Sequence, residues 1–171
     1  MFIFASHNKK RPNNLVLGRM YDEHVLDMIE LGVDNYQGLS SFKNDKIAFG
    51  IKPCLLFAGD LFESNLDYVR MKNLLVDLFH RETVESINLK GIEHVLMFTA
   101  ADNKILMRSY KIKMENLGLK TPRVALEEIG PRADFTLRRT QIASEDLYKL
   151  AFKKQKQLKV IDIIIIIYLT P

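Results

Sequence analysis

The chain has 171 residues, 47% of them apolar and 27% charged, a balance that excludes intrinsic disorder and suits one domain able to bury its own core. Its net charge is +4, and its single cysteine, Cys54, excludes a disulfide framework. There is no run of about 18 apolar residues, and Met1 to Arg11 is too short and polar for a signal peptide, so a soluble intracellular protein is expected.

In chain order, Met1 to Ala5 reads as a strand and Ser6 to Asn14 as an exposed polar loop. Leu15 to Met20 and Val25 to Leu31 suit a hairpin around Tyr21 to His24, with an amphipathic helix through Val25, Met28 and Ile29 as the alternative. Pro53 to Ala58 reads as a buried strand closed by Gly59-Asp60. Over 64–80, Tyr68, Met71, Leu75, Leu78 and Phe79 recur at helical spacing, and Ser64 with Asp67 forms a start resembling a capping box.

Val95 to Thr99 and Ile105 to Ile112 predict a hairpin through Asp102 and Asn103. Arg123 to Ile129 and Phe135 to Arg139 predict a second one, turned by Gly130-Pro131-Arg132. A last helix starts at Ser144, with Glu145 and Asp146 at its positive end and Lys153 and Lys154 at its negative end. The fold class is therefore α+β, with mostly antiparallel strands.

The charges are segregated. Residues 1–20 hold four bases and no acid, residues 21–100 hold seven bases against thirteen acids, and residues 101–171 hold fourteen against eight. If the basic blocks meet in space they form a cationic face of the kind that binds nucleic acid. The four histidines, His7, His24, His80 and His94, do not pair with one another or with Cys54 at zinc-ligand spacing. Phosphate-binding, dinucleotide-binding and serine-nucleophile glycine motifs are missing as well, so neither a metal site nor a catalytic centre is expected.

Lys9, Lys10 and Arg11 stand among amides and hydroxyls, groups that contact phosphate and sugar; a solvated basic turn or a localisation signal is the alternative. Strand alternation puts Lys104, Arg108 and Tyr110 on one face, and Lys111 and Lys113 on the other. Alternation also separates Arg138 from Arg139, so at most one of them shares the surface of Phe135 and Leu137. For Arg132, Arg138 and Arg139 the choice is between phosphate contact and pairing with Glu127 or Glu128 across the hairpin. Asp22, Glu23, Asp27 and Glu30 read as one solvated acidic face, suited to a basic protein partner rather than to a metal.

Ser6-His7-Asn8-Lys9-Lys10-Arg11-Pro12-Asn13-Asn14, Gly18-Arg19-Met20-Tyr21-Asp22 and Asp27-Met28-Ile29-Glu30-Leu31 together resemble the Brix-domain superfamily. Later stretches agree: Lys52-Pro53, Phe57-Ala58-Gly59-Asp60, Arg108-Ser109-Tyr110-Lys111, Pro122-Arg123, Glu127 to Arg132, Leu137 to Thr140 and Ala143 to Leu150. The resemblance covers residues 2–159, read as the domain, with 160–171 as an atypical apolar tail. It implies two α/β halves similar to anticodon-binding domains. It further implies a non-enzymatic, cofactor-free assembly factor of the nucleus and nucleolus, acting on the large-subunit precursor RNA.

The branch that this chain resembles pairs with the regulator of ribosome synthesis. It helps install the 5S rRNA particle together with that particle's two ribosomal proteins, without a membrane role. The candidate RNA contacts are Lys9, Lys10, Arg11, Asn14, Arg19, Arg108, Lys111, Arg132, Arg138 and Arg139; the candidate partner contacts are Asp22, Glu23, Asp27 and Glu30. Two departures from the family pattern are expected to matter. Its leading segment, and so an early part of the domain, precedes the strand at Met1. Its lysine-rich tail is replaced by the isoleucine run 160–169, read as a gene-model artefact or an added strand.

Overall fold

The computed structural model describes residues 1–44, 47–48, 50–79, 91–115 and 123–152. Strands β1 (Phe2–Ser6), β2 (Asn14–Tyr21) and β3 (His24–Gln37) form an antiparallel meander. Asp22 and Glu23 turn the chain at φ 48° and 61°, the mirror-image turn whose twist matches that of the strands it joins. The hairpin reading holds and the helical alternative is corrected: Ile29, Leu31 and Val33 alternate onto the core, the period of a strand.

Strand β4 (Cys54–Ala58) pairs in parallel with β5 (His94–Ala101), and the connection between them carries α1 (Leu61–Ser64) and α2 (Leu66–Leu78). The expected helix start at Ser64 is corrected. Asn65 is extended and caps α2, its Oδ1 accepting from the Asp67 N–H at 2.9 Å, while the Ser64 hydroxyl closes the preceding turn by donating to the Asp60 carbonyl. His80 lies outside the described residues.

Strand β6 (Lys104–Glu115) returns along β5 through Asp102 and Asn103, both at positive φ. The expected hairpin between β7 (Arg123–Glu128) and β8 (Arg132–Ile142) is not formed. Both strands pair with β6, β8 along Lys104 to Met107 and β7 along Tyr110 to Glu115, so they lie end to end on one edge. Gly130, at φ 71°, sits between them with Pro131, and the pair redirects the chain instead of folding it back. Helix α3 (Glu145–Ala151) is capped by the Ser144 hydroxyl, which accepts from the Leu147 N–H, with Glu145 and Asp146 in its first turn. Lys153, Lys154 and the apolar tail 160–171 lie outside the described residues.

The resulting sheet has the order β1-β2-β3-β8-β6-β5-β4, with β7 continuing the edge of β6, and among the described strands only the β4–β5 pair is parallel. Helix α2 buries Tyr68, Met71, Leu74 and Leu75 on one face of the sheet, against Leu17, Ile29, Leu31, Leu96, Phe98, Ile105 and Phe135. Burial of Met71, Leu74 and Leu75 contributes about 1.5–3 kcal/mol each. Phe135 belongs to this core, as its place in an apolar strand suggests. The opposite face carries the polar residues of the candidate site.

Candidate nucleic-acid interface

The site grows from the loop between β1 and β2. The Asn8 side chain accepts from the backbone N–H groups of Lys10 (3.0 Å) and Arg11 (2.7 Å), a turn held by a side chain rather than by the sheet. Arg138 fastens the loop to β8: Nη1 donates to Asn14 Oδ1 and Nη2 to the Pro12 carbonyl, both at 2.9 Å. Arg11 closes onto Glu30 of β3, its Nη1 donating to both carboxylate oxygens at 2.9 and 3.1 Å.

Arg139 reaches the same carboxylate, donating from Nε to Glu30 Oε2 at 3.0 Å and from Nη2 at 2.9 Å. Two adjacent arginines therefore project over one face, where alternation expected them apart. The reason is a bulge: Glu30 is opposite Arg139 and Leu31 is opposite Leu137, which leaves Arg138 as the extra residue of β8. Gly32 makes room for it, since a Cβ there would lie 2.7 Å from Arg138 Nε.

One carboxylate, 3% exposed, thus holds two guanidinium groups that keep 48% and 59% of their side-chain surface in water. Lys9 and Lys10 are exposed in the same loop and form no ion pair among the described residues. Five cations around one acid leave a positive excess, and Glu30 fixes the orientation of two of them without neutralising the group.

The other expected cations are placed differently. Arg19 lies on the helix-bearing face, donating to Asp27 through Nε (2.9 Å) and Nη2, and to Asp77 of α2 through Nη1 (2.5 Å). The hydrogen bonds to Asp27 outweigh the burial that opposes them and hold this guanidinium above its ordinary pKa. Arg108 fills the junction of β7 and β8, donating to the carbonyls of Met107 (2.8 Å) and Ala133 (3.0 Å) and to Asp134 (2.7 Å). Burial pushes the Asp134 carboxyl up, but hydrogen bonds from Asn35 and Arg108 and the charges of Arg108 and Lys104 outweigh it, so it lies below its ordinary value.

Arg132 pairs with Glu128 at 3.7 Å, the ion pair named as its alternative, though not across a hairpin. Lys111 is opposite His94 and Glu127 and shares the helix-bearing face, away from Arg138. His94 itself contacts the Ser109 hydroxyl at 2.9 Å, and burial pushes its pKa down.

The expectation of one solvated acidic face is corrected. Asp22 and Glu23 are exposed at the β2–β3 turn, whereas Asp27 and Glu30 are buried and held by arginines on opposite faces of the sheet. Strand alternation separates the last two, and their partners lie across neighbouring strands. Among the described residues there is no cluster of three or more metal-ligating side chains, and no helix long and apolar enough to cross a membrane.

Gly32 and Asn35 escaped the sequence reading. A glycine inside a strand was the available signal for a close approach, whereas the role of Asn35 depends on its contact with Asp134, far away in the chain.

A Brix domain model matches residues 1–139. The chain belongs to the Brix-domain family. It is similar to ribosome production factor 2 homologs: 57% identical over 159 residues to that of Homo sapiens, covering 93% of this chain and 52% of the relative. Identity is 56% over 161 residues to that of Drosophila melanogaster (94% and 50% covered). It is 39% over 163 residues to that of Schizosaccharomyces pombe (90% and 51%). This Brix chain spans about half the length of the curated relatives that it matches.

Proposed function

We propose that this chain acts in ribosome biogenesis as a non-catalytic RNA-binding scaffold, working in the nucleus and nucleolus on the large-subunit precursor. The observation that supports this most is the edge formed by Lys9, Lys10, Arg11, Arg138 and Arg139, pre-oriented on Glu30 and Asn14 and carrying excess positive charge. Its similarity to proteins named ribosome production factors supports the same reading. In this reading the edge grips phosphates of 5S rRNA or precursor rRNA and the chain helps install the 5S particle. The turn at Asp22 and Glu23 is offered to basic protein partners, namely the regulator of ribosome synthesis and the two ribosomal proteins of that particle.

A protein-only adaptor is the second reading, favoured by the commitment of Arg19, Arg108 and Arg132 to carboxylates and by the exposed Val124 and Leu126 on β7. Binding of the chain to 5S rRNA across a salt series separates the two, because each phosphate contact releases counterions. The scaffold reading expects a steep fall in affinity with salt. It also expects the combined Lys9→Ala, Lys10→Ala and Arg11→Ala variant to lower the slope by about two to three, at roughly 0.7–0.9 per contact. No measurable RNA affinity at low salt would favour the adaptor.

A further inference from the structure

Beside the cationic loop, at the corner where β1 and β2 diverge, lies an open cleft of about 370 Å³ whose rim includes Asn14, the partner of Arg138. Its floor is apolar: Ala5 and Leu15, which face each other across the strand pair, and Val33 of β3, whose N–H holds the Asn13 carbonyl at 2.8 Å. Leu15 and Val33 share the helix-bearing face with Leu17, Ile29 and Leu31 but are only partly buried there, so this end of that face keeps an accessible apolar surface. Its rim is polar, formed by Ser6, His7, Asn13 and Asn14.

His7 Nδ1 lies 3.2 Å from the Asn13 N–H and 3.1 Å from Asn13 Oδ1, contacts that hold the imidazole ring at the rim. The Asn8 turn and the Arg138 fork hold the loop in this shape without any ligand.

We propose that the cleft receives one unpaired nucleobase of the RNA whose backbone lies on Lys9, Lys10 and Arg11. The argument is one of matched chemistry. A base needs an apolar surface for its face and amide or imidazole groups for its edge, and single-stranded RNA is read in this way where duplex RNA is not. The cleft supplies both, and Lys9 and Lys10 stand exposed in the loop that joins His7 to Asn13. The inference rests on the RNA-binding reading above, and it adds that this part of the surface selects single strands.

The test compares, on the full chain, three labelled RNAs of equal phosphate number: a mixed-sequence single strand, an abasic strand and a duplex. The cleft predicts that the single strand binds about tenfold tighter than the abasic strand or the duplex. Ala5→Leu, which fills the floor, and His7→Ala, a change at an exposed rim residue, should each abolish that preference and leave duplex affinity unchanged. Equal binding of all three RNAs overturns the base site while leaving the phosphate-binding edge in place. A preference that survives both substitutions, or transfer of the effect to a peptide ligand with no RNA effect, overturns it too. Absence of binding to every RNA at low salt would instead sink the reading beneath it.

Discussion

Arg11, Arg139 and Glu30 on one face of the sheet, and Arg19, Asp27 and Asp77 on the other, use the same residue types in opposite proportion. The first group sets two arginines on one buried carboxylate and keeps both guanidinium groups about half in water. The second sets one arginine, 17% exposed, between two carboxylates, one of them on α2. A surplus of positive charge that is oriented but not neutralised is available to a phosphate. A balanced or negative group that bridges sheet and helix serves the fold. The count of partners around each arginine, more than its presence in a basic segment, separates binding surface from brace.

The largest expected effect breaks the brace. Asp27→Ala leaves Arg19 without its main partner in a largely buried place and should cost about 3–5 kcal/mol in urea unfolding, while RNA affinity per folded molecule stays unchanged. A comparable loss of affinity without loss of stability would erase the distinction between the two networks.

On the other side of the sheet, Arg138→Lys with Arg139→Lys keeps the charge but removes the planar fork that spans Asn14 and Pro12. An affinity loss of about tenfold in RNA titration, with a small change in melting temperature, is expected. Unchanged affinity would mean that only the number of charges matters there.

Gly32→Ala is a gentler probe. Its Cβ meets the far end of a flexible side chain rather than backbone, so Arg138 should swing aside, weakening RNA binding a few-fold and leaving the unfolding midpoint nearly in place. A large drop in stability would instead make Gly32 a packing residue.

The smallest effect concerns Asp134, the partner of Arg108. Because Asp134 has its folded pKa below the ordinary carboxylate value, its contribution to stability is present above that value and is lost as the pH falls through the folded one. Urea midpoints of the chain should decline over that acid range, and Asp134→Asn should flatten the decline.

Local features were legible in the sequence. The turns at Asp22-Glu23 and Asp102-Asn103, the apolar stripe of α2 and the Ser144 cap follow from residues close in the chain, whose chemistry acts over a few positions. What depended on distant pairing was hidden. The parallel match of β4 with β5, and the sharing of one β6 edge by β7 and β8, join segments whose order does not announce their neighbours.

The candidate site divides in the same way. Lys9, Lys10 and Arg11 stood out as a run, but the joint projection of Arg138 and Arg139 needed a bulge that no residue in β8 signals. Arg19 and Asp27 are the instructive case. Counting back from Asp22-Glu23 places Arg19 opposite Leu26, and it is the bulge between Arg19 and Met20 that brings Arg19 opposite Asp27, so this pair was hidden in the same way.

Lysine modification in the presence and absence of 5S rRNA tests the central claim most directly, since Lys9 and Lys10 lie in the loop proposed to bind phosphate and Lys111 lies on the helix-bearing face. Protection of Lys9 and Lys10 that fades with added salt, with Lys111 modified equally in both states, is the expected result. Protection of Lys111 with Lys9 and Lys10 left open would contradict the assignment of the RNA to the Arg11–Glu30–Arg139 face.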